Sequence, residues 1–186
     1  MKKGTSTKKD SKLLKLVSKG DEKAFRQIYD STYGKVSFYL HRLVSDETLV
    51  EDVLVETYAA VWKGAGSYKG KAKVTTWIIG IARNLAMNAL RKVKTHDDLD
   101  AHYDISDETL PDTESFDRPA LIKQALLKLS LKHREILDLV FFHEMRYADV
   151  SAQLDIPVST VKTRVFYAKD ALKDVLKQMG VSKHDL

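Results

Sequence analysis

Near the C-terminus, Lys162, Thr163 and Arg164 set two cations around a hydroxyl in consecutive positions. Ammonium and guanidinium groups donate to guanine edges and to phosphate oxygens, and a threonine hydroxyl bonds either kind of partner. Ser159, Thr160, Tyr167 and Lys169 add further polar tips within about three helical turns. This is chemistry for holding duplex DNA rather than for making or breaking bonds.

A second group occupies the middle of the chain. The run from Gly64 to Lys73 holds Gly64, Gly66 and Gly70, with Tyr68 interleaved among Lys69, Lys71 and Lys73, and Trp77 follows closely. Glycines allow close backbone approach, aromatic rings stack on unpaired bases, and lysines track phosphates, so this composition suits single-stranded nucleic acid. Arg83, Asn84, Asn88 and Arg91 lie just downstream. An equally economical reading makes Tyr68 and Trp77 interhelical core residues and the lysines solubilising. A third group, His96, Asp97, Asp98, Asp100, His102 and Asp104, has hard-metal ligand types. It sits in an acidic stretch with no helical or strand frame to fix geometry, so no metal is expected there. With no phosphate loop, no nucleophile elbow and no cysteine, no enzyme activity and no cofactor are expected.

Helices must position these groups. Phe25, Ile28, Tyr29, Tyr33, Val36, Leu40 and Leu43 form one apolar stripe after Gly20 and Asp21. Val50, Val53, Leu54, Tyr58, Val61 and Trp62 form a second, leaving Glu51, Asp52, Val55 and Glu56 on an acidic face. A third helix from about Thr75 turns Ile78, Ile81, Ala82, Leu85 and Ala89 inward and Arg83, Asn84, Asn88, Arg91 and Lys92 outward. Further on, Ile136, Leu137, Val140 and Phe141 predict a short helix, and Tyr147 to Leu154 another with Val150 and Leu154 inward. Asp155, Ile156 and Pro157 interrupt the pattern. Val158, Val161, Val165, Ala168 and Leu172 then carry a last helix, with Ser159, Lys162, Thr163, Phe166, Tyr167 and Lys169 outward, which is helix-turn-helix spacing.

Charge divides the 186 residues into blocks: 1–94 hold 19 basic and 9 acidic side chains, 95–118 hold 1 and 9, and 119–186 hold 11 and 8. The middle block lacks apolar periodicity and carries Pro111, with Pro119 just beyond it, which predicts a flexible acidic linker. The expected organisation is all-α: a disordered basic tail over 1–10, a helical bundle over 11–94, the linker over 95–118, a helix-turn-helix domain over 119–180 and a short tail over 181–186. The absence of cysteine excludes a disulfide scaffold and suits a reducing, cytoplasmic setting. No stretch is long and apolar enough to predict membrane insertion.

Taken in order, Gly20-Asp21, Ala24-Phe25, Tyr29, Glu51-Asp52, Trp62, Trp77 and Ile81-Ala82-Arg83-Asn84 resemble the second conserved region of extracytoplasmic-function (ECF) sigma factors of the sigma-70 family. Arg134-Glu135-Ile136-Leu137, Tyr147, Ile156-Pro157, Thr160-Val161-Lys162-Thr163-Arg164 and Ala168 are similar to that family's fourth region. The resemblance implies a promoter-specificity subunit of bacterial core RNA polymerase without catalytic chemistry. It implies that Glu51, Asp52 and Glu56 dock on the polymerase clamp. It further implies that Tyr68, Lys69, Lys71, Lys73, Trp77, Arg83, Asn84, Asn88 and Arg91 read and melt the −10 element. Ser159, Thr160, Lys162, Thr163, Arg164, Tyr167 and Lys169 would then hold the −35 element as duplex, and an anti-sigma factor is an implied partner. Residues that depart from the family pattern include Asp155 and Ser159 in place of glycine, Ser151 in place of alanine, Ser130 where proline is common, Phe166 and Tyr167 before Ala168 where an arginine is frequent, and Glu144-Met145-Arg146, which lacks a turn glycine. The rival reading is a stand-alone helix-turn-helix repressor, which would bind duplex DNA tightly without polymerase.

Overall fold

The computed structural model describes residues 5–96 and 118–181, and the chain divides into two compact units, Met1–His96 and Asp97–Leu186. The acidic stretch from Asp97 to Asp117, with most of the candidate metal cluster, lies outside the described residues, as does the segment 182–186.

The first unit is built from α1 (Thr5–Val17), α2 (Glu22–Leu43), α3 (Glu47–Gly64) and α4 (Val74–His96). Helix α1 corrects one expectation, because it begins inside the stretch expected to be a disordered tail. Leu14 and Val17 are buried, and α1 packs against α2, so a short amphipathic face fixes a segment whose lysines suggest solvent. Gly20, at φ +88°, closes this helix, and the Asp21 carboxylate accepts from the Ala24 amide at 2.9 Å to start the next. Asp46 caps α3 in the same way, accepting from Leu49 at 3.1 Å.

Ile28, Val36, Leu40, Val50, Val61, Ile78, Ile79, Ala82 and Ala86 are buried in this unit. Ile79 and Ala86 lie outside the stripe expected for α4, whereas Ile81, Leu85 and Ala89, expected inward, are only half-buried. Helix α4 packs on both α2 and α3, so its buried arc is wider than one stripe. The polar residues Thr32 and Thr57 are buried with their hydroxyls donating to the Ile28 and Val53 carbonyls, at 2.6 and 2.7 Å.

The second unit contains α5 (Arg118–Leu127), α6 (Leu131–Leu137), α7 (Tyr147–Leu154) and α8 (Val158–Gln178). Between α6 and α7 the backbone widens into a π turn over Asp138–Phe142, where the His143 amide bonds the Asp138 carbonyl at 3.1 Å. The wider turn shifts the helical phase of the residues in and after it. Leu139 becomes fully buried and Phe141, expected inward, stands 53% exposed. Arg134 is buried, and its guanidinium donates to the Leu127 carbonyl at 2.9 Å and the Leu129 carbonyl at 3.3 Å, joining α6 to the end of α5. Ala125, Leu176 and Val181 form an apolar cluster with Leu121, Ile122, Leu172 and Val175 that seats α5 against the end of α8.

Candidate nucleic-acid and polymerase interface

In the second unit, α7 and α8 are separated only by Asp155, Ile156 and Pro157. Asp155 adopts the left-handed conformation, φ 53° and ψ 49°, that a glycine would take more readily. The Ser151 side chain donates to the Ile156 carbonyl at 2.6 Å, and the Ile156 amide returns a bond to the Ser151 carbonyl at 3.2 Å. Val150, Val161, Val165 and Ala168 are buried, so α8 is held along one face from its second turn onward.

Opposite that buried face, Ser159, Lys162, Thr163, Phe166, Tyr167 and Lys169 are exposed. Thr160 and Arg164 are half-buried at the edge, so the structure does not place them centrally with the others. Phe166 lies in the middle of the outward arc, 67% exposed, with its ring edge-on to Tyr167 at 5.5 Å. Sequence reasoning places Phe166 outward but leaves it out of the contact set. Its spacing, three and four residues after Thr163 and Lys162, is the available signal. The Lys169 ammonium rests over the Phe141 ring, 6.0 Å from its centre, which draws it to the margin of the face.

In the first unit a short 3₁₀ turn, Ala65–Ser67, leads from α3 into the lysine loop. Tyr68 and Trp77 are both half-buried, with ring centres 5.5 Å apart, and the Tyr68 hydroxyl donates to the Ala72 carbonyl at 2.5 Å. The two rings therefore brace the loop against the start of α4, while Lys69, Lys71 and Lys73 stay exposed. Gly70, at φ +70°, makes the reversal that this brace requires. Asn84, Asn88 and Arg91 lie about two, three and four turns beyond Trp77 and share one line of α4 with it. The Arg91 guanidinium donates to the Asn88 side-chain carbonyl. Arg83 is half-buried and lies roughly 100° around the helix from that line, so the structure does not bring it into the stripe.

Glu51, Asp52 and Glu56 are all exposed on α3, and Val55, 71% exposed, stands among them. Beside them Phe25, Tyr29, Tyr33, Tyr58 and Trp62 form a continuous aromatic cluster, with Tyr29 and Tyr58 4.6 Å apart. Burial raises the Tyr29 pKa, and the nearby Tyr33, Asp30 and Glu51 raise it further, which ties this ring electrostatically to the acidic face. Burial also pushes the Tyr58 hydroxyl up to about 12. Its 3.1 Å hydrogen bond with Thr32 pulls the other way, and Tyr29 and Tyr33 add to the rise. Sequence reasoning assigns these aromatics to the core and misses that Tyr29 reaches the surface next to the carboxylates. Among the described residues no group of three or more metal-ligating side chains converges, and no helix is long and apolar enough to cross a membrane.

Residues 28–95 match the family model for Sigma-70 region 2, and residues 120–172 match that for Sigma-70, region 4. The ECF RNA polymerase sigma factor SigW of Bacillus subtilis is 30% identical over 181 residues, covering 90% of this chain and 97% of that protein. The RNA polymerase sigma-H factor of Pseudomonas aeruginosa is 28% identical over 183 residues, covering 91% and 95%. Among solved structures, CnrH in complex with the cytosolic domain of CnrY aligns with a TM-score of 0.67 at 20% identity, covering 91% of this chain and 98% of that one. The sigma factor RpoE of Bartonella quintana, in complex with the anti-sigma factor NepR, aligns with a TM-score of 0.67 at 22% identity, covering 83% and 98%. Both structures share the fold.

Proposed function

Because this chain belongs to the ECF sigma factors of the sigma-70 family and so directs RNA polymerase to promoters, we propose that its two units divide the promoter between them. The first unit reads and opens the −10 element. Trp77, Asn84, Asn88 and Arg91 line the surface that receives unpaired bases, and Lys69, Lys71 and Lys73 hold the strand. Tyr68 braces the loop, and Arg83 acts from a neighbouring face of α4, outside the stripe. Capturing a flipped base there offsets the few kcal/mol that unstacking costs.

The second unit holds the −35 element as duplex. Ser159, Lys162, Thr163 and Tyr167 enter the major groove, with Thr160, Arg164 and Lys169 at the margin toward the phosphates. Glu51, Asp52 and Glu56, with Val55 and Tyr29 beside them, form the surface for core polymerase. An aromatic and acidic face of this kind suits a basic, partly apolar partner.

The observation that supports this reading is that one chain presents two different polar surfaces on separate units: a braced aromatic loop with a polar stripe, and a helix-turn-helix. A repressor needs only the second. The protein works without catalytic residues of its own and acts in the cytoplasm, where core polymerase is found. Its activity is held in check by an anti-sigma factor, a proposal supported by the solved RpoE, which carries NepR. The test is co-purification of the tagged protein with bacterial core RNA polymerase, followed by run-off transcription on genomic fragments. Stoichiometric capture with new start sites supports the reading. Tight binding of the isolated protein to duplex DNA without polymerase capture would replace it with the repressor.

A further inference from the structure

Helix α1 carries lysines where helix stability alone would not place them. Lys8, Lys12, Lys15 and, just past the helix end, Lys19 follow at intervals of four, three and four residues, so they fall on one line, and all four are exposed. The opposite face holds the buried Leu14 and Val17. A merely solvated helix gains from carboxylates four residues from its lysines, whereas Lys8–Lys12 and Lys15–Lys19 are like-charge pairs at that spacing and disfavour the helix. The first turn has no acidic residue, and Lys8 stands in it, where the helix dipole disfavours a cation. Lys15, in the last turn, and Lys19, just past it, lie where the dipole favours a cation, whereas Lys8 and Lys12 do not. The line is therefore built for a polyanion outside the chain.

Its position identifies which one. Helix α1 packs against the Ala65–Ser67 turn, and a Cβ built at Gly66 would lie 3.8 Å from the Ser18 Cβ. The C-terminal end of α1 is thus seated beside the turn that leads into Tyr68, Lys69, Lys71 and Lys73. From Lys8 to Lys19 the line is about 16 Å long, enough for several phosphates of one strand. We propose that the α1 lysine line binds the sugar–phosphate backbone of promoter DNA continuing from the −10 element, adding affinity without base preference. The proposal rests on the assignment of the Tyr68–Lys73 loop to the −10 element.

The test uses holoenzyme assembled with the full chain and a promoter mapped by run-off transcription. Promoter affinity is measured between about 50 and 200 mM salt for the wild type, a Lys8→Ala, Lys12→Ala, Lys15→Ala triple variant and the matching Lys→Arg triple variant. The expected result is a salt slope shallower by about two to three in the alanine variant, from roughly 0.7–0.9 per lost phosphate contact. The arginine variant should keep the slope, and base preference at −10 should not change. An unchanged slope in the alanine variant, while a parallel Trp77→Ala variant loses melting, overturns the α1 site alone. Melting that survives Trp77→Ala with Lys71→Ala overturns the −10 assignment instead. A drop in affinity for core polymerase without DNA would make polymerase the occupant and also overturn the proposal.

Discussion

Ser151 and Ile156 are hydrogen-bonded to each other twice, side chain to carbonyl at 2.6 Å and amide to carbonyl at 3.2 Å, across the left-handed Asp155. The pair closes the turn between α7 and α8. The turn thus survives without its usual glycine because a serine holds it from α7.

Ser151→Ala should lower the stability of the second unit by about 1 kcal/mol, the worth of one intramolecular hydrogen bond. Asp155→Val should cost about 1–2 kcal/mol, since a β-branched residue is an outlier at positive φ, whereas Asp155→Gly should hold or raise stability. Denaturant midpoints would report all three. Equal midpoints for the valine and glycine variants would show that the turn stores no strain.

Tyr58 makes stability depend on pH at the alkaline end. Its folded pKa, about 12, lies above the unfolded value near 10, so the folded state keeps a proton that the unfolded chain releases. The contribution is complete below about pH 10 and is lost as pH rises toward 12. After allowance for solvent screening it amounts to roughly 1–2 kcal/mol. Urea midpoints from pH 9 to 12 should fall more steeply for the wild type than for Tyr58→Phe, and parallel curves would refute the assignment.

Glu51→Lys combined with Asp52→Lys should weaken capture of core polymerase by at least about tenfold, or about 1.4 kcal/mol, while helical content stays intact. Both side chains are exposed, so the fold should tolerate the change. Circular dichroism and pull-down on the same sample separate the two effects. Undiminished capture removes these carboxylates from the docking surface.

Lys162→Ala should reduce binding to duplex −35 DNA by about 1–3 kcal/mol if it makes a bidentate base contact, and should leave melting of a pre-opened promoter nearly unchanged. Arg164→Ala should act in the same direction. Because Arg164 is half-buried, its replacement should also lower the unfolding midpoint more than that of Lys162 does. Equal damage to both promoter steps would argue against a division of labour between the units.

The stripes of α2 and α3 and the helix-turn-helix are legible in the sequence because each buries one face at regular helical spacing, as Ile28, Val36 and Leu40 do. Helix α1 is hidden by its own lysines, since Leu14 and Val17 are too few to register as a stripe. The exposure of Phe141 is not legible either, because a π turn changes the helical period within a single turn and leaves no mark in residue type. Around the Gly64–Lys73 loop, residue types leave Tyr68 and Trp77 divided between core and base platform. The structure packs the two rings against each other, Tyr68 in the loop and Trp77 on α4, and leaves Asn84, Asn88 and Arg91 exposed further along α4.

The joint between α5 and α6 has a consequence for how sequences in this segment can drift. Arg134 reaches the main-chain carbonyls of Leu127 and Leu129, acceptors that every amino acid provides, proline included. Substitutions at 127 and 129 can therefore accumulate, within the limits their packing sets, without any compensating change at 134. In an alignment of relatives, position 134 should hold arginine while its two acceptor positions vary independently of it.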